Sequence, residues 1–255
     1  TPDYAVFLRR RSAPAPLVVT FHNYVLDEFM RGYSTLAQRL HYRYDLKWWT
    51  RQALREAHAG TAVSRCTAGL VKQELGYPGD VRVIYNGIDT EAFTPPSRRA
   101  DRHELRVLFA GNLTRRKGAD LLLPIAERLP PGVRILYTKG LRTGARLPDH
   151  PRLECIGAVR YEDMPGLYRD ADILLYPSVR EGFGLSVAEA MACALPVVAT
   201  DCSSLPELVE HGKGGFLCRI GAVDEFAGAI GRLAESASLR AQMGEFNRAK
   251  AQRSF

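Results

Sequence analysis

Short apolar runs rich in β-branched residues alternate with stretches of helical spacing along most of this 255-residue chain. The runs are LVVTF at 17–21, TAVS at 61–64, VRVIY at 81–85, LRVLFA at 105–110, VRILY at 133–137, RLECI at 152–156, DILLY at 172–176 and PVVAT at 196–200. They are too short for helices, and most lack the regular polar alternation of a half-exposed strand. They therefore read as buried parallel strands. Residues 35–58, 65–75, 117–129 and 161–169 carry helical spacing, a further helix starts near 185, and two more close the chain at 222–234 and 237–252. Such alternation builds βαβ units and open parallel sheets, whose ligands sit beyond the carboxyl ends of the strands.

The length suits two smallish domains. The polar, proline-bearing stretch FTPPSRRADRH at 93–103 is the best candidate for a connection. The expected division is a partial N-terminal domain at 1–92, a linker at 93–104 and a C-terminal domain at 105–255. An apolar content of 46% and a charged content of 25% are globular values and exclude a disordered chain. No apolar run reaches the ~18 residues of a membrane span, and no signal or targeting stretch, internal repeat or low-complexity segment is evident. The five cysteines (Cys66, Cys155, Cys193, Cys202, Cys218) contain no CxxC pair. They read as reduced thiols of a cytoplasmic protein, not as a zinc site.

The net charge is +7, which suits an anionic partner such as a nucleotide, a nucleic acid or an acidic membrane surface. Much of the excess lies early, in Arg9, Arg10, Arg11, Arg31, Arg39, Arg43, Lys47, Arg51 and Arg55. A solvated basic face explains the same pattern.

The most informative stretch is REGFGLSVAEAMA at 180–192, where Glu181 and Glu189 lie eight residues apart. It follows the strand at 172–176 and so lies at that strand's carboxyl end. Gly182, Phe183 and Gly184 form a turn that lets backbone approach a ligand closely. The helix opening at Leu185 offers unsatisfied N–H groups and a positive dipole end, which suits a diphosphate. Glu189 can accept hydrogen bonds from a vicinal diol such as a ribose, and Glu181 from a second polyol beyond the phosphates. Two carboxylates flanking an anion cradle suit a phosphate with a sugar at each end. Alone, the pattern is also that of a helix whose first-turn glutamate complements the dipole. A second motif, GNLTRRKG at 111–118, occupies the corresponding corner after the strand at 105–110. There Lys117, with Arg115 or Arg116, can stabilise charge on a departing diphosphate.

These pieces, in this order, resemble the family 4 glycosyltransferases, retaining enzymes of the two-domain GT-B fold. The resemblance rests on FHN at 21–23, AVS at 62–64, IYNGID at 84–89, GNLTRRKG, ADILLYPS at 171–178, EGFGLSVAEAMA, LPVVATD, LPELV and HGKGGFL. It implies an α/β fold with two Rossmann-like domains facing a cleft, the N-terminal one incomplete. It also implies transfer of a hexose from a nucleoside-diphosphate sugar to a hydroxyl acceptor, a glycan or a lipid-linked group. Metal and cofactor are not required, the nucleotide-sugar being a co-substrate. By the resemblance Lys117 contacts the donor diphosphate, Glu189 the ribose, and Glu181 with the amides of Phe183–Leu185 the donor sugar and distal phosphate. Gly111, Asn112, Arg115, Arg116, Gly182 and Gly184 line the donor site, and His22 faces the reacting sugar.

The chain departs from the family in three ways. Asn112 stands where the family carries arginine, so Arg115 or Arg116 is expected to compensate. YTKGL at 137–141 replaces a GxG loop near the base, which leaves uridine and guanosine donors both open. Relatives carry further strands before the one ending at His22 and a further returning helix, so the chain reads as shortened at both ends. A donor-binding remnant or scaffold subunit without catalysis is the alternative function.

Three other signals need placing. From the residues alone His22 is a structural histidine at a strand end; the resemblance moves it to the site. Asp170-Ala171-Asp172 is a DxD, a metal motif in other transferases, but it precedes a strand, so Asp170 reads as a helix end and Asp172 as a strand edge. Residues 39–55 interleave bases with aromatics. They fit an interfacial helix on anionic lipid at the inner membrane face, a single-stranded nucleic-acid platform, a core-facing stripe or a homo-oligomer contact. Nucleic-acid binding would explain the charge but neither glutamate.

Overall fold

The computed structural model describes residues 16–24, 26, 28–97, 102–140 and 146–255. Arg9–Arg11, residues 98–101 of the expected linker and Leu141 lie outside them. The chain forms two compact units, Thr1–Asn86 and Gly87–Phe255.

In the first unit, strands β1 (Val18–Phe21), β2 (Ala59–Ala62) and β3 (Val81–Val83) form a parallel sheet in that order among the described residues. Helix α1 (Leu36–His41) starts with a capping box, Thr35 accepting from Gln38 N while the Gln38 side chain accepts from Thr35 N. A π turn, Tyr42–Leu46, joins it to α2 (Lys47–Glu56). Helix α3 (Arg65–Leu75) is capped by Ser64 and ended by Gly76 in the left-handed conformation. Val19, Phe21, Leu54, Val71 and Val81 form the centre of this unit's core.

The second unit is built on β4 (Leu105–Phe109), β5 (Val133–Thr138), β6 (Leu153–Gly157), β7 (Ile173–Tyr176), β8 (Val197–Thr200) and β9 (Gly215–Cys218). All neighbours are parallel and the order is β6-β5-β4-β7-β8-β9. The chain runs outward from β4 to β6 and then returns to β7 on the other side of β4. The β4–β7 seam, with Val107 opposite Ile173, is therefore the switch point at which open parallel sheets leave a crevice. The helices are α4 (Leu122–Arg128), α5 (Met164–Asp170), α6 (Leu185–Ala192), α7 (Leu205–Leu208), α8 (Val223–Glu235) and α9 (Ala237–Ser254). Ile135, Ile173, Leu175, Val198 and Phe226 lie in the main core of this unit.

Three local expectations change. The helix expected over 117–129 begins only at Leu122, after two 3-10 turns, because Gly118 is left-handed at φ 76° and interrupts it. Strand β9 was not among the expected strands and follows a glycine-rich stretch. Gly215 has no Cβ because one would lie 1.8 Å from Val197 O across the sheet. Residues 87–93, expected in the first domain and the linker's first position, pack with the second unit. Phe93 is buried, 5.9 Å from both the Tyr161 and the Tyr168 rings, and Arg248 on α9 donates to the carbonyls of Thr90 and Phe93 at 2.9 and 2.7 Å.

The DxD carboxylates are structural. Asp170 ends α5 and pairs with Arg102 and Arg106, while Asp172 accepts from the backbone N–H of Arg106 at 2.9 Å. Among the described residues no helix is long and apolar enough to cross a membrane.

Candidate active site

The two corners of the switch-point crevice are residues 110–118, leaving β4, and 177–184, leaving β7. Their sequences bring a lysine and a glutamate together across 64 positions. Lys117 Nζ donates to Glu181 Oε1 at 2.6 Å and to the Tyr176 hydroxyl at 2.9 Å, and lies 5.1 Å from the centre of that ring. Ser178 Oγ donates to the same Glu181 oxygen at 2.5 Å. Burial, with the adjacent Glu181 carboxylate, holds the Tyr176 pKa well above the ordinary tyrosine value. Tyr176 stays a neutral phenol at any physiological pH. Glu181 is 9% exposed, and Lys117 and Ser178 both donate to its Oε1, the partnering that a buried carboxylate requires.

The two corners are also stitched through backbone. Val179 N donates to Arg116 O at 3.0 Å, and Ser178 Oγ lies 3.2 Å from the same carbonyl. Arg116 Nη1 donates to Arg180 O at 2.7 Å and stands 3.6 Å from Glu181. Gly118 fits under this seam because a Cβ would lie 2.4 Å from Pro177 O. From below, Ser203 Oγ accepts from Glu181 N at 3.1 Å and donates to Glu181 O at 2.5 Å, and Ser204 Oγ donates to Phe183 O at 2.8 Å. The 180–184 turn is thus fixed before any ligand arrives, the preorganisation that charge stabilisation needs.

Gly184 is the N-cap of α6 at φ 105° and supplies no side-chain cap; Val187 N donates to Gly184 O at 2.9 Å, so the anion-binding capacity of this end rests on the Leu185 and Ser186 N–H groups. The Phe183 ring is buried, 5.4 Å from the Phe255 ring. Leu185 is exposed. The far end of α6 is held by α9, with Arg248 Nη1 donating to Ala192 O at 2.7 Å and Asn247 Nδ2 to Leu195 O at 2.7 Å.

Glu189, one turn into α6, is 5% exposed and accepts from the Tyr168 hydroxyl at 2.9 Å. Tyr161, mostly exposed, bonds it as well. Burial raises the Glu189 pKa, and the two phenols offset part of that rise.

The remaining predicted residues fall as follows. Gly111 N donates to Thr138 Oγ1 at 3.0 Å and ties the β4 corner to β5. Asn112 packs on Gly140, where a Cβ would lie 2.1 Å from Asn112 Oδ1. Arg116 is engaged with Arg180 O and Glu181, whereas Arg115 is exposed and 3.8 Å from Asp120. His22 belongs to the first unit and is exposed just past the carboxyl end of β1. Sequence reasoning missed Tyr168, Tyr176, Ser178, Ser203 and Ser204. Ser178 could have been found, because it lies three residues before Glu181 in the same turn; the others depend on strand order.

The chain is similar to known glycosyltransferases. The family description "Glycosyl transferases group 1" matches residues 104–236, and "Glycosyltransferase Family 4" matches residues 1–92. The D-inositol 3-phosphate glycosyltransferase of Corynebacterium jeikeium (strain K411) is 35% identical over 193 residues, 65% of this chain and 46% of that protein. The enzyme of the same name from Mycobacterium bovis (strain BCG / Pasteur 1173P2) is 33% identical over 175 residues, 61% of this chain and 36% of its own. The match thus spans less than half the length of these relatives. The sucrose-phosphate synthase of Thermosynechococcus elongatus superposes with a TM-score of 0.84 over 99% of this chain and 67% of its own, at 22% identity. Anabaena HepE in complex with UDP-glucose superposes at 0.76 over 99% of this chain and 71% of its own, at 25% identity. These neighbours share the α/β fold of GT-B type. With just over half its length under the first of those family descriptions, and a lysine–glutamate pair at the switch point of its second sheet, the chain belongs to the group 1 glycosyltransferases.

Proposed function

We propose that this chain transfers a hexose from a uridine-diphosphate sugar to a hydroxyl acceptor, a glycan or a lipid-linked group, with retention and without a metal. The observation that carries the reading is the Lys117–Glu181 pair, bonded at the switch point beside the open N-terminus of α6. Uridine is preferred to guanosine because a solved neighbour holds UDP-glucose. In this reading Glu189 takes the ribose diol, displacing the Tyr161 phenol. The amides of Phe183–Leu185 and Lys117 take the diphosphate, with Arg115 as the nearby exposed cation. Glu181 takes hydroxyls of the hexose, and His22 keeps the role that the family resemblance gives it. The anomeric carbon–oxygen bond to the diphosphate breaks and its electron pair leaves on phosphate oxygen. The acceptor hydroxyl attacks the same face and gives its proton to that oxygen. Lys117 stabilises the departing charge, the work a divalent cation does elsewhere. A cytoplasmic setting goes with this reading, since all five cysteines are free thiols.

The test is calorimetric titration with UDP and with GDP, in the presence of EDTA. UDP is expected to bind with unchanged affinity in EDTA and to bind Glu189→Ala about tenfold or more weakly, the cost of a lost charged hydrogen bond. Preference for GDP, or affinity lost in EDTA, would overturn the corresponding part of the assignment. A non-catalytic donor-binding subunit is the second reading, and Asn112 favours it because it packs on Gly140 in place of a cationic side chain. UDP-sugar turnover by the purified chain would exclude it.

Glu189 also predicts a pH dependence. Its folded pKa lies above the unfolded value, so its contribution to stability falls as pH rises from the ordinary carboxylate range through the raised pKa. Diol binding has the opposite sign, because it needs the ionised carboxylate. UDP affinity is expected to fall as pH drops from neutral through that raised pKa. The slope should vanish in Glu189→Gln, and an unchanged slope would remove Glu189 from nucleotide binding.

A further inference from the structure

The first unit carries an apolar stripe that its own core does not cover. Leu36, Leu40, Tyr44 and Trp48 are 72, 53, 63 and 49% exposed. They recur at every fourth residue. In an unbroken α-helix each such step overshoots a full turn by about 40°, so the three steps would carry Trp48 about 120° away from Leu36. Here the π turn intervenes, with Lys47 N donating to Tyr42 O. Its wider loop turns less per residue and cancels much of that drift. The other face of α2 buries Thr50, Ala53 and Leu54, so the expectation of a core-facing aromatic stripe does not hold for Tyr44 and Trp48.

Across residues 36–56 the sequence carries Arg39, Arg43, Lys47, Arg51 and Arg55 against Asp45 and Glu56, and Lys47 pairs with Glu74 at 3.5 Å. Arg39 uses Nε on Ser34 O, Arg51 uses Nε on Leu75 O, and Arg55 reaches Gln52 at 3.4 Å. Each guanidinium has five donors, so these bonds leave capacity toward an anion.

We propose that the Leu36–Trp48 face, with its flanking cations, docks on an anionic lipid surface. Aliphatic side chains immerse in the acyl boundary, Tyr and Trp suit the headgroup level, and the cation row meets lipid phosphates. A second copy fits less well, because a two-fold contact through this face would set the cation row near itself. A nucleic-acid platform also fits less well, because Leu36 and Leu40 offer no stacking surface. The proposal stands apart from the donor reading.

The test is flotation of the purified chain with vesicles of equimolar phosphatidylglycerol and phosphatidylcholine, without nucleotide, beside vesicles of phosphatidylcholine alone. Binding is expected on the anionic vesicles, weakening as salt rises. It should drop about tenfold or more in the Leu40→Gln/Trp48→Gln double variant. Arg39→Glu should lower it as well, leaving thermal midpoint and UDP affinity unchanged. Tryptophan emission should shift to the blue on binding, and Trp48→Phe should remove most of that shift. Equal binding to neutral vesicles, no binding, indifference to the double variant, or a dimer that the double variant dissociates would each overturn the proposal.

Discussion

Replacing Lys117 with alanine is expected to lower kcat/KM for sugar transfer by about two to three orders of magnitude, the usual cost of removing one preorganised group from a developing anion. The side chain is placed by Glu181 at 2.6 Å and by the Tyr176 hydroxyl at 2.9 Å, so it spends little order when the diphosphate departs. The loss should fall mainly on kcat, since leaving-group charge is larger in the transition state than in the bound donor. Glu181 keeps Ser178 as a partner and Arg116 at 3.6 Å, so the fold should survive. Single-turnover rates with UDP-glucose, read beside UDP affinity, separate the two effects. Activity within the same order of magnitude as the parent would take Lys117 out of the chemistry.

Gly118→Ala is expected to be the costliest single methyl group in the second unit's site. At φ 76° a Cβ is disfavoured by about 1–2 kcal/mol. It would also lie 2.4 Å from Pro177 O and 2.9 Å from Pro177 C, backbone atoms held by the neighbouring Val179–Arg116 hydrogen bond. Relieving that overlap adds about 1–3 kcal/mol. A total near ~3 kcal/mol lowers the melting midpoint of a unit this size by roughly 6–12 °C. The relief must also move the corner that carries Lys117, so turnover should fall in the folded variant at low temperature. A midpoint and a turnover both unchanged would show that the seam is looser than the geometry implies.

Much of the fold was legible because strands buried on both faces appear as unbroken apolar runs. The run at 172–176 ends where β7 ends, and α3 matches its expected bounds at both ends. Strand β9 was hidden because the glycines that let it approach β8 are also the mark of a loop. The start of α4 was misplaced because apolar spacing continues through Gly118, whose backbone conformation no periodicity reveals. Lys117, Glu181 and Glu189 could be named from chemistry and resemblance. Their surroundings could not, because Tyr168 and Tyr176 come to the carboxylates, and Ser203 to the Glu181 backbone, only through the strand order. The need for Arg115 or Arg116 to replace a missing arginine was legible in Asn112; that Arg116 is already engaged with Arg180 O was not.

The β4–β7 seam has a consequence for how the site comes into being. Its pairing joins segments 66 residues apart, with β5 and β6 already laid down on the other side of β4. Closing so long a loop gains nothing until both strands are in place. No local fragment of the chain can therefore hold Lys117 against Glu181; the pair exists only once the middle of the sheet is complete. A ligand seated there binds the finished sheet and not its precursors, and by mass action its free energy of binding adds to the stability of the whole unit.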